Sequence, residues 1–159
     1  MLEKIVSGGQ TGVDRAALDA ALENSFPCGG WCPAGRLAED GRIPDCYPLK
    51  ETSTPSYPER TEKNVCDSDG TLIVTCGPLT GGTALTYQLA VEHQKPCLVV
   101  DLAQTTEQEA VHAVWDWLKA ENIQVLNVAG PRASQQPQLY GPVKGIVTEL
   151  IQRTRQQRS

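Results

Sequence analysis

No apolar run in this chain approaches the roughly 20 residues needed to span a bilayer, so a helical membrane protein is excluded. Basic residues are in deficit, with 14 Lys and Arg against 19 Asp and Glu, and the formal net charge of −5 argues against general nucleic-acid affinity. Histidine occurs twice, as His93 and His112, with no cluster of acidic residues or cysteines around either. Six cysteines are present but only Cys28 and Cys32 are close in sequence, and no second Cys or His pair completes a tetrahedral metal set. A Walker A lysine, a full G-x-G-x-x-G and a G-x-S-x-G elbow are all missing. An ordinary ATPase, a standard dinucleotide enzyme and a serine hydrolase therefore have no support. The amino terminus runs straight into an apolar segment without signal-peptide organisation, which leads us to expect a cytoplasmic protein.

The most informative stretch is Ser7-Gly8-Gly9-Gln10-Thr11-Gly12-Val13-Asp14-Arg15. It lies between the apolar pair Ile5-Val6 and an alanine-rich helical segment. A strand that empties through glycines into a helix gathers unpaired N–H groups and a positive helix end at one place, where an anion is welcome. Thr11 adds a hydroxyl and Arg15 a planar charged fork. The plainer reading is a glycine turn that only redirects the chain. The same pattern returns at Gly81-Gly82-Thr83 after an apolar run at 71–75, and at Gly130-Pro131-Arg132 after another at 123–128. In a parallel sheet such turns share the carboxyl edge, where ligands bind.

The spacing predicts strands over 2–6, 27–31, 71–75, 97–101 and 123–128. Helices are predicted over 13–23, 59–66, 83–93, 106–121 and 139–153. Apolar strands alternating with amphipathic helices predict an α/β domain over 1–159, a mainly parallel sheet with helices on both faces. Thr106 and Glu109 form a capping box in pattern. The basic tail from Arg153 reads as a frayed helix end. Between 32 and 58 seven prolines and glycines rule out a regular helix or central strand, and an irregular loop of this length is more often functional than accidental. In it Arg36 or Arg42 would close over an anionic ligand while Glu39 or Asp40 bonds a polar ring; the alternative is a solvated turn. Arg60 and Asn64 share one face of a short helix whose default placement is the surface.

Taken together, Ser7 to Arg15, Gly30-Trp31-Cys32-Pro33, Ala38-Glu39-Asp40-Gly41, Tyr47-Pro48-Leu49, Asp67-Ser68-Asp69-Gly70, Gly81-Gly82-Thr83 and Asn127-Val128-Ala129-Gly130-Pro131-Arg132 resemble the bacterial putative molybdenum carrier family. The resemblance spans nearly the whole chain. It implies a Rossmann-like fold akin to molybdenum-cofactor carriers and, further off, to lysine-decarboxylase-like phosphoribohydrolases. It also implies a phosphorylated ligand, with molybdenum cofactor (molybdopterin) or a nucleotide as cargo, and a homodimer or homotetramer. The expected ligand-binding residues are Gly8, Gly9, Gln10, Thr11, Gly12, Arg15, Arg36, Glu39, Gly81, Gly82, Thr83 and Arg132. One departure bears on chemistry. The hydrolase relatives carry a glutamate after their Gly-Thr turn, where this chain has Thr86 or Gln88, neither a carboxylate. Without it, a carrier is expected rather than an enzyme; the alternatives are a hydrolase that recruits Glu39 or Asp40, and a nucleotide-sensing module.

Overall fold

The computed structural model describes residues 1–159. In chain order the elements are β1 (Lys4–Val6), α1 (Val13–Glu23), β2 (Cys28–Gly29), β3 (Trp31–Cys32), β4 (Leu37–Ala38), β5 (Gly41–Arg42) and β6 (Lys50–Glu51). Then come α2 (Tyr57–Cys66), β7 (Gly70–Thr75), α3 (Gly81–Glu92), β8 (Cys97–Asp101), α4 (Glu107–Ala120), β9 (Val125–Ala129), a 3₁₀ turn (Pro137–Leu139) and α5 (Tyr140–Arg158).

The central sheet is five-stranded and parallel throughout, in the order β2-β1-β9-β7-β8. Every residue of β7 is buried, as expected of a strand covered on both faces. One face packs against α1, α4 and α5, where Ala16, Ala17, Ala20 and Ala21 let α1 approach Val143, Ile146, Val147 and Leu150 of α5 closely. The opposite face carries α2 and α3, held by Val65, Leu89 and Ala90. The result is a three-layer Rossmann-like α/β architecture.

The chain steps outward from β1 to β2 on one side and from β7 to β8 on the other, and β9 fills the place between. Connections from β1 and β7 thus leave in opposite lateral directions, which opens a crevice at the carboxyl ends of β1, β9 and β7. That crevice is where the candidate site lies.

Several boundaries differ from expectation for local reasons. The expected strand 27–31 splits. Cys28–Gly29 stays in the main sheet, whereas Trp31–Cys32 leaves it to pair in parallel with Lys50–Glu51. The stretch 32–58 is accordingly a small ordered layer with its own hairpin, Leu37–Ala38 against Gly41–Arg42, and its own apolar cluster of Leu18, Cys32, Ala38, Ile43 and Tyr47. The carboxyl-terminal helix continues to Arg158 instead of fraying, because Arg155 donates to the carbonyls of Asn24 and Ser25 and Arg158 to that of Leu2. The Thr106–Glu109 capping box is present in both directions. No helix is long and apolar enough to cross a membrane.

Candidate functional site

A cavity of about 270 Å³ opens at the carboxyl ends of the central strands. Its walls are the turn after β1 (Gly8, Gln10, Asp14), the segment from Asn127 to Arg132, the amino terminus of α3 (Gly81 to Thr86) and one face of α2 (Tyr57, Arg60, Asn64). Three of these four walls follow central strands, as the switch-point geometry requires.

The amino terminus of α3 supplies open backbone. Thr80 precedes it in extended conformation and its side chain caps nothing; its carbonyl takes the amides of Thr83 and Ala84 at 3.1 and 3.2 Å, so the amides of Gly81 and Gly82 keep their donors. A methyl group built on Gly81 or Gly82 would meet no atom within 4 Å, so these glycines border free space. Thr83 is buried, and its hydroxyl makes no hydrogen bond to protein.

The turn at 7–15 is used differently from expectation. Its amides are largely committed: that of Gln10 to the Asp14 carboxylate at 3.2 Å, that of Thr11 to the Gln10 side chain at 3.1 Å, and that of Arg15 to the Gln10 carbonyl at 3.2 Å. Gly9 and Gly12 do need positive φ, +80° and +83°. Yet a Cβ there would strike Leu49 and Ile43, or the Pro131 carbonyl at 2.7 Å, so protein packing fills the space expected for an anion. Gly8 and Gln10 reach the cavity; Gly9, Thr11, Gly12 and Arg15 do not line it.

Arg15 instead forms a two-pronged pair with Asp40, at 2.5 and 2.8 Å, and donates to the Gly9 carbonyl at 3.0 Å. The hydrogen bonds from Arg15 hold the Asp40 carboxyl below its ordinary range. Glu39 likewise accepts from the Ser134 and Thr11 hydroxyls, at 3.1 and 2.8 Å, and its acidity is raised by them, Ser134 foremost. The expected loop carboxylates are therefore latches that fix the β4–β5 hairpin to the glycine turn and to the segment after β9. Arg36, expected to close over a ligand, points into its own loop. It is buried inside the loop with φ of +53°, and its guanidinium donates to the carbonyls of Ile43, Pro44 and Tyr47 at 3.0, 2.7 and 3.0 Å. Those carbonyls have no strand partner, and one planar fork satisfies them all.

Residues passed over in the sequence complete the site. Arg60 and Asn64 lie on the buried face of α2 and not on the surface. Asn64 clamps the backbone of Trp31, accepting from its amide at 2.8 Å and donating to its carbonyl at 3.0 Å. Arg60 stacks over the Tyr57 ring at 5.2 Å and donates to the Gly8 carbonyl at 2.9 Å. Asp14 sits 3.8 Å from Arg60 and is only 7% exposed. Burial pushes its carboxyl up to about 6 despite the neighbouring guanidinium. The signals available were the Arg60–Asn64 spacing next to apolar Val65, and a carboxylate following directly on a glycine turn.

No three His, Cys, Asp or Glu side chains converge on a point that could hold a metal ion. The chain offers a polar cavity with an anion-receptive helix end, one buried carboxylate and two arginines, Arg60 and Arg132.

The model of the circularly permutated YpsA SLOG family matches residues 5–151. A crystal structure of a putative molybdenum carrier protein from Syntrophus aciditrophicus SB is 50% identical in sequence, superposes with a TM-score of 0.91, and is matched over 94% of each chain. No curated protein matches the chain. With a family model spanning nearly all of the sequence and a half-identical neighbour sharing the fold, the chain belongs to the circularly permutated YpsA SLOG family.

Proposed function

We propose that this protein binds a phosphorylated heterocyclic ligand in the switch-point cavity and holds it without turning it over. The observation that supports this most is a set of unused polar atoms. Gln10, Asp14, Arg60, Thr83 and Asn127 are each at least nine-tenths buried and line one cavity; every side-chain nitrogen and oxygen sealed from solvent is paired, so the donors and acceptors these residues leave unpaired are accessible ones. Convergent accessible polar atoms around one concave pocket favour a polar ligand. The uncapped start of α3 and the Arg132 side chain would take the phosphate, and the remaining groups the ring and its linker.

A nucleotide and a molybdenum-bearing pterin both suit this description as cargo. The half-identical neighbour's name favours the second. Calorimetry with AMP, GMP and a pterin monophosphate tests the reading. Micromolar binding that falls in Arg132→Ala supports it; absence of binding to all three sinks it.

One observation favours a second reading, hydrolysis of the ligand's glycosidic bond. The cavity does contain a carboxylate, Asp14, with an acidity suited to proton transfer near neutral pH. Incubation with nucleoside monophosphates, followed by chromatography of free base, separates the two. Base release lost in Asp14→Asn would replace the carrier with an enzyme.

We also propose a homodimer or homotetramer. Leu89 and Ala90 are taken up inside, but Tyr87, Val91 and Val99 remain exposed on α3 and on the edge strand β8. Light scattering at micromolar concentration decides it, and a monomer mass counts against assembly.

A further inference from the structure

We infer that Asp14 selects the ligand's ring, and that the ring it selects presents two adjacent N–H donors, as the 2-amino-4-oxo pyrimidine portion of guanine or of a pterin does. The inference rests on the proposed phosphorylated-ligand reading and sharpens it to a ligand class.

Four features carry it. First, Asp14 lines the cavity, with Oδ2 accepting from the Gln10 amide at 3.2 Å and no hydrogen bond of ordinary length at Oδ1, while the nearby Ser7 hydroxyl and Gly8 amide favour its ionised form. The Ser7 hydroxyl itself donates to the Val128 carbonyl at 2.6 Å. A carboxylate offers about four lone-pair sites and no donor, so a group that approaches Asp14 must bring N–H or O–H.

Second, charge orients the ligand. A phosphate beside a buried carboxylate would be repelled, so it belongs at the opposite wall, the uncapped start of α3. Asp14 follows β1 and α3 follows β7, with β9 between them. Two strand spacings put these walls about 10 Å apart. That separation suits a nucleoside monophosphate lying with its phosphate on α3 and its ring edge towards Asp14.

Third, the neighbours of Asp14 add mixed polarity. The Gln10 side chain uses its oxygen on the Thr11 and Glu39 amides, which leaves its NH₂ as a free donor for a ring carbonyl. The Asn127 amide gives one polar atom to Thr71 and keeps the other for the cavity. A lactam carbonyl beside N–H groups meets acceptor and donors in this order; the amino–imine edge of adenine does not, because its ring nitrogen would face a carboxylate lone pair.

Fourth, the Arg60 guanidinium near Asp14 stabilises the ionised form that this recognition needs. It also lies over Tyr57, so the pair is held in place from α2.

The test is a calorimetric series on the wild-type protein with GMP, IMP, AMP, 2′,3′-dideoxy-GMP and a pterin monophosphate. GMP should bind about tenfold or more tighter than AMP, with IMP, which lacks the 2-amino group, between them. The dideoxy compound should match GMP. The pterin arm distinguishes the two sources of the same edge: tighter binding than GMP assigns the pterin, weaker binding the guanine nucleotide, and either agrees with the inference. Asp14→Asn should reduce the GMP preference over AMP about tenfold, with its fold checked by circular dichroism. The wild-type series decides the matter even if that variant is unstable. Equal affinities for GMP, IMP and AMP overturn the ring assignment while leaving the phosphate reading intact. Loss of binding on removing the 2′ and 3′ hydroxyls would assign Asp14 to the sugar and also overturn it. No binding by any compound overturns both.

Discussion

One nitrogen of Arg60 lies 2.9 Å from the Gly8 carbonyl and 3.8 Å from the Asp14 carboxylate, which ties α2 to both ends of the glycine turn. A Cβ on Gly8 would collide with that guanidinium, so the glycine is there for the arginine. Arg60→Ala should therefore leave the Gly8 carbonyl and the Asp14 carboxylate without their cation. We expect a loss of about 2–4 kcal/mol in urea unfolding. A loss below about 0.5 kcal/mol would show that the pair contributes little.

Asp14 should impose an inverted pH dependence on stability. Its carboxyl moves from 3.8 in the reference state to about 6 in the folded chain, mainly through burial. The folded state then holds more protons than the unfolded state between these values. The group's contribution is most favourable below about pH 4 and declines as the pH rises to 6, by about 3 kcal/mol, then stays level. Glu39, Asp40 and Glu59, whose acidities are raised by their partners, slope the other way. The difference between wild type and Asp14→Asn isolates the carboxylate's contribution. At pH 7.5 the variant should melt at a higher temperature, and the gap should close at pH 4. A gap that widens on acidification is the contrary outcome.

Two glycine substitutions should separate packing from binding. Gly12→Ala places a Cβ at positive φ against the Pro131 carbonyl and should cost about 2 kcal/mol or more of stability. Gly82→Val enters open space at the mouth of the cavity and should leave global stability within about 1 kcal/mol, apart from propensity, while weakening phosphate-ligand affinity about tenfold. Thermal melts and calorimetry on both variants check this. Equal behaviour of the pair would mean the cavity walls are misassigned.

Arg15 and Arg132 should differ in the same way. Arg132 lines the cavity, so Arg132→Ala should weaken binding by about 1.5–3 kcal/mol. Arg15 is spent on Asp40 and Gly9, so Arg15→Ala should loosen the hairpin at 37–42 and change affinity about threefold at most. Hydrogen exchange reads the first effect and calorimetry the second. A larger affinity loss in Arg15→Ala would restore it to the ligand.

The layered fold was legible because buried parallel strands are apolar runs and their helices carry a 3.6-residue period. Val111, Val114 and Leu118 on α4, and Val143, Ile146, Val147 and Leu150 on α5, all point inward as that period requires. The candidate cavity lies on the edge the sequence pointed to, but which residues line it was not legible. Glycine turns announce where backbone comes close to something, and the sequence does not say whether that something is a ligand or Pro131, Ile43 and Arg60. The placement of Arg36 was illegible for a similar reason: a loop arginine near acidic residues has the same local pattern whether it faces solvent, ligand or the loop's own carbonyls. Asp14 drew no separate reading within the 7–15 stretch, since a carboxylate in the first turn of a helix has the same local pattern whether exposed or buried. Only the arrival of α2 over it makes that carboxylate buried.

The placement of β9 has a consequence for how the binding site comes into being. β1 pairs only with β2 and β9, and β7 only with β8 and β9. A chain that has emerged only as far as Asp101 therefore holds two parallel ribbons with no strand-to-strand hydrogen bond between them, linked only by side-chain bonds such as Arg60 to Gly8 and Asn64 to Trp31. The strand that joins them also brings Asn127 and Arg132, so sheet closure and completion of the pocket are one event. On the proposed reading, a ligand that binds only the completed pocket would draw the half-built chain toward the finished sheet and so take part in the protein's own maturation.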